Sequence, residues 1–273
     1  MEKLIVAKFG GSAIGVNGEG LPTILERIRR LKEDSKVIVV CSAPLTTING
    51  KKVSLTDVIL GLGGENKDVQ NVDFNLVSET YSHILEMVND DYKEECRAKI
   101  SDMLEMSLKS LEEARALDKF EDEIRAKALA YSGEVLMSHV LNFILKSNGI
   151  KSESISLDDW PIITDNNIES TNFVFAQSNE HTEKLEDLVK QNDVVSIGGF
   201  IGKTEDGIIT TYERGGSDRT AADIGILFHK KYDTVIDLEK DSSVVSADPK
   251  IVQDELEQIS DLSYNKARLA GMF

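Results

Sequence analysis

Two short apolar runs with β-branched centres, Leu4 to Ala7 and Val37 to Cys41, bracket a stretch whose apolar residues fall at 21, 24, 25, 28 and 31. The runs read as buried strands, the first stopped by Gly10-Gly11, and the spacing between them is helical. Strands separated by a helix cannot form a tight hairpin, so they must lie parallel and be joined by a right-handed crossover. This predicts an α/β chain with a mainly parallel sheet between helical layers. Residues 53–149 carry mostly helical patterns, broken at Gly61 to Gly64, and predict a helical block inserted early. Strand-like segments return at Ser152 to Ile155, Pro161 to Ile163, Asn172 to Phe175 and Val194 to Ile197, with a helix at Glu183 to Val189. A hairpin turning on Asp206-Gly207, a helix from Ser217 to His229 and a strand from Thr234 to Leu238 complete the expectation.

The 273 residues suit one large domain or two intimate lobes, and the formal charge of -17 argues against a nucleic-acid partner. Any anionic ligand must therefore be drawn in by local cations and backbone dipoles. Cys41 and Cys96 offer no disulfide framework. The N-terminal apolar run is too short for a signal peptide or a membrane span, so a cytoplasmic protein with no membrane partner is expected.

Four segments carry candidate chemistry. Lys8-Phe9-Gly10-Gly11-Ser12 ends the first strand, at the sheet edge where ligands of open α/β folds gather. Its glycines let main-chain N–H groups approach a phosphate, and Lys8 adds a compact cation. The lysine precedes the glycines, unlike a Walker motif; alone, the segment reads equally well as a tight turn. Arg214-Gly215-Gly216-Ser217-Asp218 precedes the late helix, with Ser217 or Asp218 as the expected N-cap and Arg214 as a planar fork for a carboxylate. Tyr131-Ser132-Gly133-Glu134 opens a long apolar helix and puts Glu134 in its first turn, either as a dipole-favoured carboxylate or as a receptor for an ammonium group. Ser42-Ala43-Pro44-Leu45-Thr46-Thr47 follows the second strand as a loop that can lend hydroxyls.

Taken in order, Lys8-Phe-Gly-Gly-Ser12, Val39-Val-Cys-Ser-Ala43, Ser132-Gly-Glu134 with Ser138-His139, Ile162-Ile-Thr-Asp165, Gly199-Phe-Ile-Gly202 and Arg214-Gly-Gly-Ser-Asp218 resemble the aspartate kinases of the amino-acid kinase superfamily. The resemblance implies a three-layer αβα sandwich with an aspartate-binding lobe over about 1–190 and a nucleotide-binding lobe over about 191–273. It implies transfer of the γ-phosphoryl of ATP, with magnesium, to the side-chain carboxylate of L-aspartate, the first step toward lysine, threonine and methionine. In that reading Lys8 sits on the transferring phosphoryl group, and Asp218 orients Lys8 or a magnesium-bound water. Gly10, Gly11 and Ser12 cradle phosphates. Glu134 takes the α-ammonium and Arg214 the α-carboxylate, while Ser42, Gly216 and Ser217 line the pocket. The family's threonine after the Ser-Ala loop aligns without gaps on Ile48, so its neighbour Thr47 is the candidate, and Lys250 is the candidate on the nucleotide side. A homodimer is expected.

The sequence also departs from the family. Its purine-side segment, Glu239-Lys240-Asp241-Ser242-Ser243-Val244-Val245, lacks the usual glycine and tyrosine. This keeps two alternatives open: a catalytically impaired nucleotide-binding subunit, or a related kinase with another acceptor. Leu262 to Phe273 reads as a helix, and no regulatory domains follow it, so inhibition by lysine or threonine is not expected.

Overall fold

The computed structural model describes residues 1–69, 72–213 and 215–239. In chain order they form β1 (Lys3–Phe9), α1 (Gly11–Ile14), α2 (Leu21–Leu31), β2 (Lys36–Cys41), β3 (Leu45–Ile48), β4 (Lys51–Ser54), α3 (Leu55–Leu62), α4 (Asn75–Leu85), α5 (Asp90–Leu117), α6 (Asp122–Ser132) and α7 (Glu134–Ser147). Then follow β5 (Ser152–Ser154), α8 (Phe175–Glu180), α9 (Glu183–Gln191), β6 (Val194–Gly198), β7 (Ile201–Lys203), β8 (Ile209–Thr211), α10 (Gly216–Phe228) and β9 (Asp233–Glu239).

Strands β5-β6-β2-β1-β9, in that spatial order, make one parallel sheet. Every residue from Leu4 to Phe9 and from Val37 to Cys41 is buried. Successive side chains of a strand point to opposite faces, so unbroken burial means that helices cover both sides. The helix α2 supplies the expected crossover, burying Leu21, Ile24, Leu25, Ile28 and Leu31 on one stripe. The α/β expectation and its early helical block, α3 to α7, are both met.

Register decides where chemistry can happen. Phe9 pairs with Cys41, Cys41 with Gly198, and Phe9 also with Glu239, so four parallel strands end along one line. The turns that leave them form the carboxyl edge of the sheet, and Lys8 lies on that edge.

Four local expectations are corrected. Pro161 to Ile163 and Asn172 to Phe175 form no strands: they contribute only isolated bridges, Ile163 to Lys203 and Thr164 to Phe173, and Phe175 opens α8. Pro161 has no N–H to give a ladder, and runs of three or four residues hold few cross-strand bonds. The segment after Ser42 is not a loop but the hairpin β3–β4, turning on Asn49 and Gly50 at φ 51° and 76°. The fourth concerns the late helix: its cap is Gly215 and it begins at Gly216, so neither Ser217 nor Asp218 is the N-cap. The readings at 240–245, Lys250 and Leu262 to Phe273 lie outside the described residues.

Candidate active site

Lys8 extends from the end of β1 to Asp218 in the first turn of α10, with Nζ 2.8 Å from Oδ1. The lysine side chain is only 9% exposed and the aspartate 34%, so the pair sits at the mouth of the edge, with its cation inward. Gly10 caps α1, and a Cβ built there would stand 3.2 Å from Lys8 Nζ; one at Gly11 would stand 2.9 Å from the Ala43 carbonyl oxygen. The absence of side chains keeps a backbone-lined space beside the ammonium, as a phosphate cradle requires. Ser12 is exposed on α1. Ser42, just past β2, donates its hydroxyl to Ser217 Oγ at 3.2 Å and ties the β2 turn to the start of α10.

Glu134 is the first residue of α7 and is 5% exposed. The junction that places it is held by Tyr81, whose hydroxyl lies 3.0 Å from both the Ser132 and Gly133 carbonyl oxygens. From the sheet side, a Cβ at Gly198 would come within 2.8 Å of the Glu134 main-chain carbon, so only glycine lets β6 end this close to α7. Thr56 Oγ1 donates weakly to Glu134 Oε1 at 3.4 Å, while Oε2 has no hydrogen-bond partner among the described residues. Burial pushes the Glu134 carboxyl up to about 7, against the opposing pull of main-chain hydrogen bonds at Glu134 and Ala43 and of the Thr56 hydroxyl. A buried, incompletely satisfied carboxylate is costly unless a cation completes it.

Glu134 opens onto a cavity of about 390 Å³, whose wall includes Thr56, Arg125, Phe200, Gly216 and Ser217. Phe200 stands at φ 68°, a left-handed conformation that a bulky residue rarely adopts. It is clamped there: its N–H donates to Thr220 Oγ1 at 3.0 Å, and its carbonyl accepts from the Tyr212 N–H at 2.9 Å. Tyr212 donates its hydroxyl to Asp223 Oδ2 at 2.7 Å, and the Arg219 guanidinium lies 4.8 Å above its ring. These contacts hold the floor under the Gly215-Gly216 turn.

The sequence profile of the Amino acid kinase family matches residues 3–272. The chain belongs to that family. Within it, the chain is 36% identical over 122 residues to an aspartokinase of Rickettsia felis, covering 44% of this chain and 29% of that protein. It is 34% identical over 122 residues to aspartokinase 1 of Bacillus subtilis, covering 44% of this chain and 28% of that protein. Its fold superimposes on Escherichia coli aspartokinase III, solved in complex with aspartate and ADP, with a TM-score of 0.79 at 20% identity, spanning 99% of this chain and 56% of that one. The chain thus spans little more than half the length of that solved structure.

Against this family pattern, Lys8, Gly10, Gly11, Ser42, Glu134, Gly216, Ser217 and Asp218 gather at the carboxyl edge of the sheet or on the cavity beside it. Arg214 and Lys250 lie outside the described residues. Thr47 does not join the group: it is exposed on β3. Thr56 takes its place on the cavity wall, in the first turn of α3, whose cap Ser54 accepts from the Asp57 N–H at 3.0 Å. The hairpin β3–β4 accounts for the displacement, because it inserts between Ser42 and the next hydroxyl that can face the pocket. Arg125, too, was not singled out by sequence, since a lone arginine in a helix of mixed charged, alanine and other apolar residues carries no local signal. No cluster of three or more metal-ligating side chains occurs among the described residues.

Proposed function

We propose that this chain is the catalytic portion of an aspartate kinase, which moves the γ-phosphoryl group of ATP to the side-chain carboxylate of L-aspartate. The observation that carries the reading is Glu134, a buried carboxylate with one oxygen unpartnered among the described residues and facing a cavity of amino-acid size. An α-ammonium group completes it, and the similarity to aspartokinases names the rest of the acceptor.

Aspartate needs no general base, because its carboxylate is already an ionised nucleophile. Catalysis then rests on positioning and charge. Lys8, fixed by Asp218, offsets the charge that spreads over the transferring phosphoryl oxygens. The turn at Gly10 and Gly11, with Ser12, leaves room for phosphates to meet main-chain N–H groups, and Lys250 completes the nucleotide side. Ser42 and Ser217 bind the acceptor beside Glu134, and Arg214 takes its α-carboxylate. Magnesium bound with the nucleotide would supply charge neutralisation at the phosphates. It prefers oxygen donors and few protein ligands, and Asp218, a third exposed beside Lys8, suits that role or the orienting of a water on the ion. In this reading residues 1–190 chiefly hold aspartate and 191–273 the nucleotide, and the enzyme is a cytoplasmic homodimer serving lysine, threonine and methionine synthesis.

The test is turnover with ATP and magnesium across a panel of amino acids, with the acyl phosphate trapped by hydroxylamine. Aspartyl hydroxamate is the expected product. Faster turnover of glutamate or of a nucleoside monophosphate would overturn the acceptor assignment.

A further inference from the structure

The hairpin β7–β8 meets α10 at both of its ends. At its entry the Phe200 N–H donates to Thr220 Oγ1 at 3.0 Å, and at its exit Tyr212 donates its hydroxyl to Asp223 Oδ2 at 2.7 Å. The bond from the Tyr212 N–H to the Phe200 carbonyl, at 2.9 Å, closes the loop across the mouth of the hairpin. Thr220 and Asp223 stand three residues apart on α10 and therefore share one face. Held at two points of that face, α10 can neither turn about its axis nor slide along it. Its start is seated as closely. A Cβ at Gly216 would stand 2.5 Å from Tyr212 Cβ, and one at Gly199 would stand 2.6 Å from Ser217 Cβ.

Tyr212 is 1% exposed and Asp223 8%. Burial pushes the Asp223 carboxyl up, against the pull of the Tyr212 hydroxyl and of the Arg219 guanidinium. Apolar residues would pack a helix on a hairpin without the cost of a buried carboxylate. What the polar bond adds is direction, and the first turn of α10 needs it. That turn carries Ser217, which accepts from Ser42 at 3.2 Å, and Asp218, 2.8 Å from Lys8 Nζ.

We infer that Tyr212 and Asp223 are positioning residues for phosphoryl transfer, whose bond orients α10 so that Asp218 meets Lys8 and Ser217 meets the acceptor. The inference rests on the role of Lys8 in the function proposed above and deepens it. The Tyr212 hydroxyl is taken up by Asp223, so the pair acts through the helix.

The experiment follows ATP turnover with aspartate and, separately, acetylation of Lys8 by acetic anhydride, read by mass spectrometry. It compares the parent, Tyr212→Phe, Asp223→Asn, Asp218→Asn and the double variant Tyr212→Phe/Asp218→Asn. A displacement on the order of 1 Å at a reacting group predicts that Tyr212→Phe lowers kcat about 10- to 100-fold, with the KM for ATP within about threefold. Asp223→Asn keeps an oxygen that accepts from Tyr212, so its kcat stays within about threefold of the parent. Added to Asp218→Asn, Tyr212→Phe lowers kcat by less than about threefold, because the contact it positions is already lost. Lys8 is acetylated faster in Tyr212→Phe than in the parent, and no faster still in the double variant, while the exposed Lys109 reacts alike in all. Should Tyr212→Phe fail to fold by circular dichroism, Tyr212→Phe/Asp223→Leu, which removes both partners of the buried bond, carries the same comparisons. An equal loss of kcat with and without Asp218→Asn, or Lys8 acetylation unchanged in Tyr212→Phe, would overturn the inference. A parent that phosphorylates no acceptor removes the proposed function, and the acetylation of Lys8 then decides the positioning role by itself.

Discussion

At the start of α7 the Glu134 carboxyl is shut away from water, and a pH dependence of stability follows from that burial. Its folded pKa is raised from 4.5 to about 7. The folded state therefore holds the proton more tightly than the unfolded chain. Below pH 4.5 both states are protonated and the contribution is fully present. As pH rises toward 7 the unfolded chain ionises first and stability is lost, by about 3 kcal/mol once both forms are ionised. Glu134→Gln removes this slope, so the variant should match the parent near pH 4.5 and exceed it at pH 8 in urea melts. Parallel curves for the two proteins would show that Glu134 is ionised in the folded state throughout. Because an ammonium group needs the carboxylate, the parent's KM for aspartate should also climb as pH falls below about 7, and this rise should be absent for ATP. At this scale sequence reading picked out residues of contiguous motifs, such as Lys8, Glu134 and Asp218, which the fold brings to the sheet edge or the cavity beside it. It missed Thr56 and Arg125 because each reaches the cavity through chain geometry: Thr56 by way of an inserted hairpin, Arg125 from the buried side of a helix whose neighbours in sequence are Glu, Lys and Ala.

The element that brings Glu134 to the edge is the contact between the end of β6 and the beginning of α7. Backbone meets backbone there, for a Cβ at Gly198 would stand 2.8 Å from the Glu134 carbon and 2.8 Å from the Val135 nitrogen. No rotamer change relieves such a clash, so α7 itself has to move. Gly198→Ala should cost about 1–3 kcal/mol of stability, as overpacking does, and should raise the KM for aspartate while leaving that for ATP nearly unchanged. Full activity in a variant that is no less stable would mean that the junction yields more easily than its contacts imply. The strands and helices that were legible are those whose pattern spans several residues: β1, β2 and β6, buried along nearly all of their length, α2, whose apolar residues recur at helical spacing, and α10. The hairpin β3–β4 was harder to see although Asn49-Gly50 is a strong turn signal, because its strands are four residues each and mostly polar or half-exposed. Pro161 to Ile163 misled in the opposite direction, its apolar residues being buried against the β7–β8 ribbon rather than in a ladder of their own.

For the whole molecule the dominant electrostatic fact is the excess of 48 acidic over 31 basic residues, a formal charge of -17. Two effects of salt compete. Screening weakens favourable ion pairs, and many of those here are exposed helix pairs at i,i+3 or i,i+4, such as Lys109 with Glu105 and Lys127 with Glu123; pairs of this kind contribute about 0–1 kcal/mol each. A less exposed pair, Arg27 to Asp237 at 2.7 Å, ties α2 to β9 and is screened less. Screening also relieves the mutual repulsion of the surplus carboxylates, which extends across the molecule at low ionic strength and is cut to a Debye length of about 10 Å at 0.1 M. Repulsion summed over the surplus outweighs the loss of weak local pairs. Raising NaCl from about 10 to 200 mM should therefore stabilise the protein by on the order of 1 kcal/mol, or about 2–4 °C in Tm for a chain of this size. Chloride is the right choice of anion, because sulfate would also strengthen apolar burial and confound the reading. The same screening should lower the KM for ATP over that range, since a polyanion approaching this surface is repelled until it reaches the Lys8 turn. A Tm that falls with NaCl would show that the ion pairs, Arg27 with Asp237 and Glu239 foremost, carry more of the stability than the net charge removes.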